Sequence, residues 1–88
     1  MSLRLIYRGR VQGVGFRYTT ASLARRFPVQ GYVKNLPNGT VEVIVDGPEA
    51  EVRVFLDEIA SSFAGYISDC DREEVDLGEV FRDFRIRF

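Results

Sequence analysis

The chain has 88 residues, of which 45% are hydrophobic and 28% charged, with a formal net charge of −1. This length suits one domain with a small core, and the balanced charge lacks the basic field of a nucleic-acid-binding protein. Histidine is absent and Cys70 is the only cysteine, which excludes an intramolecular disulfide and any zinc or histidine-based catalytic centre. We expect residues 1–88 to form a single domain.

The first half of the chain predicts a strand, a loop and a helix. Residues Leu3–Arg8 alternate apolar and polar side chains, which predicts a β-strand. Apolar and small residues follow at helical spacing over Tyr18–Phe27, and Pro28 is expected to end that helix. Arg25 and Arg26 are then expected in its last turn, where cations favour the helix dipole.

The next elements predict a hairpin and a second helix. Val29–Leu36 and Thr40–Asp46 flank a turn with Asn38 and Gly39, two residue types that tolerate positive φ. Pro48 suits the first position of the helix that follows. That helix carries an apolar stripe that is expected to enter the core: Val52, Phe55, Leu56, Ile59 and Phe63.

The C-terminal part predicts one or two further strands. An acidic segment, Tyr66–Val75, is expected to form the first of them, and its sequence pattern does not define a register. Asp83–Phe88 alternates, so Phe84, Ile86 and Phe88 are expected to point inward. The order predicts an α+β, ferredoxin-like βαββαβ sandwich, with two helices packed on one face of a four- to five-stranded, mostly antiparallel sheet. This fold hosts many functions and does not decide among them.

The stretch Gly9–Arg17, Gly-Arg-Val-Gln-Gly-Val-Gly-Phe-Arg, predicts an anion site. Gly13 and Gly15 permit a tight loop whose N–H groups converge, and a helix starting near Arg17 adds its unpaired first-turn amides. The Arg17 guanidinium can grip two oxygens of a phosphate or carboxylate. No Gly-Lys-Ser/Thr follows, so a Walker loop is excluded. From the residues alone, the two glycines also fit an ordinary turn.

Three motifs together resemble the acylphosphatase family over essentially the whole chain. They are Gly9–Arg17, Gly-Tyr-Val-Lys-Asn at residues 31–35, and Asn-Gly-Thr-Val-Glu at residues 38–42. The resemblance implies hydrolysis of small-molecule acyl phosphates to carboxylate and inorganic phosphate. It also implies that Arg17 binds the phosphoryl group and Asn35 orients the attacking water. The loop amides that would cradle the phosphate belong to Gln12, Gly13, Val14, Gly15 and Phe16.

An acyl phosphate already carries a good leaving group, so positioning and electrostatic stabilisation can carry its hydrolysis without metal or cofactor. Thr20, one turn beyond Arg17, could support the site through its hydroxyl or be purely structural. The side chains of Phe16 and Tyr18 are expected to pack rather than to contact substrate. Cys70 is expected to be a half-buried thiol without a catalytic role, because carboxylates flank it.

Two other functions share this fold. A non-catalytic anion-binding domain would keep the loop but lose the water-positioning residue, whereas this chain has both Arg17 and Asn35. An RNA-binding module would need aromatic and cationic residues on the third strand, and Thr40–Asp46 has neither. No signal peptide pattern or long apolar run is present, so a cytoplasmic monomer without nucleic-acid or membrane partners is expected.

Overall fold

The computed structural model describes residues 1–88 as five strands and two helices. These elements are β1 (Ser2–Gly9), α1 (Phe16–Ala24), β2 (Gln30–Asn35), β3 (Val41–Asp46), α2 (Glu49–Ser62), β4 (Ile67–Glu74) and β5 (Phe84–Arg87). The strands form one sheet in the order β4-β1-β3-β2-β5. Only the pairing of β2 with β5 is parallel. The predicted ferredoxin-like fold is confirmed in its five-stranded form.

The core lies between the helices and the inner strands β1 and β3. Leu3 pairs with Val45 and Tyr7 with Val41 across the antiparallel ladder, and all four side chains are buried. Alternation along each strand places these residues on the helix-facing side. Burying an aliphatic side chain of this size contributes about 1.5–3 kcal/mol, so this face holds the sheet to the helices. The apolar stripe predicted for α2 is buried here as expected.

Helix α1 is shorter than the sequence pattern predicts. It ends at Ala24, and Arg25 is its C-cap, so the expectation that Arg25 and Arg26 occupy the last helical turn is wrong. The amides of Arg26 and Phe27 donate to carbonyls three residues back, at 3.0 and 3.1 Å. The chain therefore tightens into non-α turns before it reaches Pro28, which cannot continue a helix.

The β2–β3 hairpin forms where it is predicted, with a different turn. The amide of Gly39 donates to the Leu36 carbonyl at 3.1 Å, and Gly39 alone in this turn has a positive φ, of 88°. Asn38 instead accepts two hydrogen bonds on Oδ1, from the amide and the hydroxyl of Thr40. Asn38 thus stabilises the turn through its side chain rather than through a left-handed backbone.

Strands β4 and β5 occupy opposite edges of the sheet. Phe84 and Ile86 pack against the core as predicted. The inward orientation expected for Phe88 is wrong: the strand ends at Arg87, and Phe88 is 91% exposed. Cys70 on β4 is exposed rather than half-buried. Neither helix is long and apolar enough to span a bilayer.

Candidate active site

The loop between β1 and α1 supplies the backbone of the candidate site. Gly13 and Gly15 have φ of 76° and 79°, and Gly15 is the N-cap of α1. A Cβ at either glycine would meet no atom within 4 Å, so the left-handed backbone rather than crowding requires glycine there. No side chain caps the start of α1 and no acidic residue lies in its first turn. Its first amides are therefore available to an anion.

The Gln12 side chain ties this loop to the β2–β3 hairpin. Its Nε2 donates to the carbonyls of Leu36 and Thr40, at 2.8 and 2.9 Å. Leu36 directly follows Asn35, the last residue of β2. The side-chain amide of Gln12 thus fixes the position of the loop relative to Asn35. This clamp was not predicted, because its partners lie far away in the chain.

One pocket of about 230 Å³ contains Arg17 and Asn35 together. Arg17 comes from the first turn of α1 and Asn35 from the end of β2. Nine residues line the pocket: Val11, Gly13, Gly15, Phe16, Arg17, Tyr18, Asn35, Ile86 and Phe88. Of the other residues predicted for the site, Gln12 and Val14 belong to the loop but do not line the pocket, and Thr20 is fully buried and does not line it either.

Arg17 forms no ion pair within the protein, and its guanidinium carbon lies 4.9 Å from the ring centroid of Phe88. A cation over an aromatic face is held by the ring quadrupole, which leaves the N–H donors free for an anion. Arg17 is the only charged residue that lines the pocket. The pocket therefore presents one cation and several backbone donors.

Two polar atoms near this site have no hydrogen-bond partner in the protein although they are buried. They are the carbonyl oxygen of the Asn35 side chain and the hydroxyl of Thr20. Unpaired buried polar atoms are rare in folded proteins and cost about 1–3 kcal/mol each. Asn35 lines the pocket, and its buried Oδ1 is an acceptor that no group of the protein uses.

The aromatic residues that flank Arg17 differ in their surroundings. Phe16 is buried and packs on Tyr7 and Phe63, with ring centroids 5.1 and 4.6 Å apart, as expected. Tyr18 is 79% exposed and lines the pocket, so the expectation that its side chain packs is wrong. The start of α1 thus directs Phe16 into the core and Tyr18 toward solvent, which the helical spacing of apolar residues does not distinguish.

Cys70 lies on β4 and does not line the pocket. Although the residue is exposed to solvent, partial desolvation of the thiol raises its pKa; Arg72 counteracts this rise, and Asp69 and Asp71 add to it. The thiol form is therefore favoured, which opposes a role as a nucleophile. The chain has no cluster of three or more histidine, cysteine, aspartate or glutamate side chains that could hold a metal ion.

A comparison with protein families decides the affiliation of the chain. The family model described as Acylphosphatase matches residues 3–86. The chain belongs to the acylphosphatase family. The family resemblance inferred from the motifs of the first half is thereby confirmed.

Individual relatives agree with this assignment. The chain is 38% identical to an acylphosphatase of Thermotoga petrophila over 88 residues, covering 99% of this chain and 97% of that one. It is 52% identical to an acylphosphatase of Pediococcus pentosaceus over 54 residues, which cover 61% of this chain and 60% of the relative. The crystal structure of acylphosphatase from Bacillus subtilis superposes with a TM-score of 0.89 at 34% identity, covering 99% and 98% of the two chains.

Proposed function

We propose that this protein is an acylphosphatase, which hydrolyses acyl phosphates to a carboxylate and inorganic phosphate. The observation that carries the proposal is that Arg17 and Asn35 line one pocket beside a loop of free backbone amides, in a member of this family. The oxygen of water forms a bond to phosphorus, and the bond between phosphorus and the acyl oxygen breaks. An acyl phosphate dianion and water thus give a carboxylate and dihydrogen phosphate.

Arg17 binds the phosphoryl group in this proposal. Its guanidinium pairs with no carboxylate of the protein, so its donors are available to two phosphoryl oxygens at once. Charge-assisted hydrogen bonds of this type contribute about 1.5–3 kcal/mol each. The same contacts stabilise the charge that spreads over these oxygens in the transition state.

The amides of residues 12–16 form the phosphate cradle in this proposal. The left-handed backbone at Gly13 and Gly15 turns successive N–H groups toward one point. The hydrogen bonds of the Gln12 side chain hold the cradle against the hairpin that carries Asn35. A preorganised cradle loses little entropy when the anion binds, so these contacts serve both binding and catalysis.

Asn35 orients the attacking water. Its unpaired Oδ1 can accept a hydrogen bond from water, and its amide nitrogen can donate to the phosphoryl group. An amide cannot take up a proton at neutral pH, so a substrate oxygen accepts the proton that water releases. No step requires a metal or cofactor, and we propose a metal-independent reaction. We further propose that residues 1–88 form one cytoplasmic domain that acts as a monomer, without nucleic-acid or membrane partners.

The test is the hydrolysis of benzoyl phosphate in the presence of EDTA by the natural chain and by Arg17→Ala and Asn35→Ala. We expect Asn35→Ala to lower kcat by roughly 10²–10³-fold, the usual effect of removing one preorganised polar group. Arg17→Ala should lower kcat and raise KM, because it removes a contact made by both ground state and transition state. Inorganic phosphate should inhibit the natural chain competitively.

Arg25→Ala and Asn38→Ala are the matched controls. Arg25 is an exposed arginine at the far end of α1, and Asn38 is an asparagine of the same hairpin; neither lines the pocket. Both variants should keep the natural rate. A folded natural chain that binds phosphate without hydrolysing acyl phosphates would contradict the proposal and favour a non-catalytic anion-binding domain.

A further inference from the structure

Strand β5 leaves one of its two edges unpaired. It lies at the end of the sheet and pairs only with β2. The amide of Gly31 donates to the carbonyl of Asp83 at 2.9 Å, so that carbonyl points toward β2. Because successive residues of a strand direct their backbone groups to opposite edges, Phe84 and Ile86 direct theirs away from β2. These two residues therefore present the N–H and C=O groups with which an added strand would pair.

A groove of about 580 Å³ lies between this edge and α1. Its floor is apolar and consists of Ala21, Val29, Phe84 and Ile86. The first two are only 7% and 5% exposed, and the other two pack against the core. The side chains of a strand alternate between the two faces of the sheet, so a strand added beside β5 would place every second side chain over this floor.

One cation that lines the groove has no charged partner. Arg25, the exposed C-cap of α1, forms no ion pair within the protein. Asp83 is the only acidic residue that lines the groove, and Nε of Arg85 already donates to its two carboxylate oxygens, at 3.0 and 2.9 Å. A carboxylate is the group that matches an unpaired guanidinium in charge and geometry. The groove is therefore complementary to a segment that is apolar and acidic.

A second copy of this chain fits the groove poorly. The opposite sheet edge, β4, has no aliphatic or aromatic side chain over residues 68–74 that could cover the apolar floor. Three of its carboxylates already pair with Arg4 and Arg8. A second β5 would bring Arg85 and Arg87 beside Arg25, and like charges repel. A segment of a different protein is the better occupant.

We propose that the groove between β5 and α1 binds an extended, acidic segment of another protein, which joins the sheet as a sixth strand. Its backbone pairs with Phe84 and Ile86, one apolar side chain covers Ala21, and a carboxylate two residues along meets Arg25. Four residues along a helix rise about 6 Å and two along a strand about 6.6 Å, so alternate side chains match Ala21 and Arg25 in spacing. Neither residue lines the candidate active site, and the inference goes beyond the proposed function without resting on it.

The test uses the acetylated and amidated peptide Glu-Thr-Val-Thr-Glu with the 88-residue chain. The order of residues is the same in both directions, so valine lies two positions from a carboxylate in a parallel or an antiparallel pairing. Excess inorganic phosphate keeps the peptide carboxylates out of the candidate active site. We expect the amides of Phe84 and Ile86 to show the largest changes in ¹H–¹⁵N NMR spectra and slower hydrogen exchange. A peptide with N-methylated threonine and valine, which cannot donate the same hydrogen bonds, should cause neither change.

Arg25→Glu is the decisive variant, because Arg25 is exposed and its replacement leaves the core intact. It should weaken binding of the acidic peptide by roughly 3- to 10-fold, since an attraction at an exposed site becomes a repulsion. The peptide Lys-Thr-Val-Thr-Lys should bind Arg25→Glu more tightly than it binds the natural chain. Arg26→Glu is the matched control, because Arg26 is an exposed neighbour that does not line the groove and lies 3.7 Å from Glu58. It should change the affinity for either peptide less than 2-fold.

The reversed peptide preference of Arg25→Glu, together with the changes at Phe84 and Ile86, would support the inference. Equal weakening by Arg25→Glu and Arg26→Glu would overturn it, because the attraction would then be a general effect of positive charge. Slower exchange at Phe84 and Ile86 that rises with protein concentration in the absence of peptide would also overturn it, since a second copy would then occupy the groove. Hydrolysis of acyl phosphates is not a readout here, so failure of the proposed function would leave this inference standing.

Discussion

Thr20 has a hydroxyl that is fully buried and lacks a hydrogen-bond partner in the protein. Its position in α1 is one turn beyond Arg17, and α1 packs against β2, the strand that ends in Asn35. A valine of similar shape would avoid the cost of burying an unpaired hydroxyl. The presence of threonine at this position therefore favours a role of the hydroxyl in the site over a role in stability.

Thr20→Val tests this role. We expect the free energy of unfolding to stay unchanged or to rise by about 1 kcal/mol, because the hydroxyl loses no partner. We also expect kcat for benzoyl phosphate to fall while KM changes little, and Thr20→Ser to retain activity. Urea unfolding and steady-state kinetics on the three proteins give both readouts. A Thr20→Val protein that is less stable but fully active would show that the hydroxyl stabilises the folded protein and does not support the site.

The sequence predicts which residues form the candidate site better than it predicts the contacts and the exposure of the side chains around them. Arg17 and Asn35 occur in short motifs, and the structure places both in one pocket. The clamp by Gln12 was not predicted, since its acceptors belong to a hairpin that only the tertiary fold brings near. Phe88 was wrongly predicted to point inward, because alternation marks apolar residues as inward-facing and does not record that the strand ends at Arg87. Tyr18 was expected to pack without support from the apolar spacing of the helix, and this expectation was wrong as well.

At the scale of elements, the sheet fixes where Asn35 lies, because β2 carries it and pairs with β3 along its whole length. Within this pairing, Gly31 lies opposite Val45 and close to the backbone of β3. Its φ is 142°, and a Cβ built there would lie 1.9 Å from the carbonyl oxygen of Ile44. The glycine in the motif Gly31–Asn35 thus has a packing function that is separate from the chemistry of the site.

Gly31→Ala should therefore destabilise the protein by roughly 3 kcal/mol or more, since it combines backbone strain with a clash against main-chain atoms. Gly39→Ala is the matched comparison, because Gly39 also has a positive φ, of 88°, but no atom within 4 Å of a built Cβ. It should cost only about 1–2 kcal/mol, the strain of a left-handed backbone alone. Similar midpoints of urea unfolding for the two variants would contradict this prediction. They would show that the backbone at Ile44 moves away from the added Cβ at little cost in stability.

The sequence pattern predicts which elements form better than where they end. Every predicted strand and helix is present, because apolar periodicity records which face is buried. The end of α1 was misplaced, since the non-α turns before Pro28 depend on backbone hydrogen bonds that periodicity does not record. The sequence did not decide whether the C-terminal part forms one strand or two. The reason is that β4 is almost wholly exposed along its length, so no alternation of apolar and polar residues marks it.

At the scale of the whole molecule, a polar network on the face of the sheet opposite the helices joins three strands. Glu42 of β3, only 8% exposed, accepts hydrogen bonds from Arg4 of β1 at 2.7 Å and from the hydroxyl of Tyr32 of β2 at 2.6 Å. Burial acts to raise the pKa of Glu42, but the hydrogen bonds from Tyr32 and Arg4 outweigh it and lower that pKa. Burial, followed by the contact with Glu42, raises the pKa of Tyr32 to about 12.

These two shifts predict how stability depends on pH. The lowered pKa of Glu42 contributes stability that is complete above its ordinary value of 4.5 and is lost as pH falls through the folded-state value. The raised pKa of Tyr32 contributes stability that is complete below its ordinary value of 10.0 and is lost as pH rises toward 12. Tyr7 adds to the alkaline decline, because burial raises its pKa as well. Stability should therefore have a plateau between these two declines.

Glu42→Gln should lower the free energy of unfolding at pH 7 by about 1–3 kcal/mol, because it removes a buried charge that accepts two hydrogen bonds. Its deficit relative to the natural chain should shrink as pH falls below 4.5, since protonation removes the same charge from Glu42. Glu73→Gln is the control, because the more exposed Glu73 lies 3.5 Å from the same Arg4; it should cost well under 1 kcal/mol. Urea unfolding from pH 3 to pH 11 measures all three proteins. A Glu42→Gln deficit that stayed constant down to pH 3 would show that packing, rather than charge, makes Glu42 important.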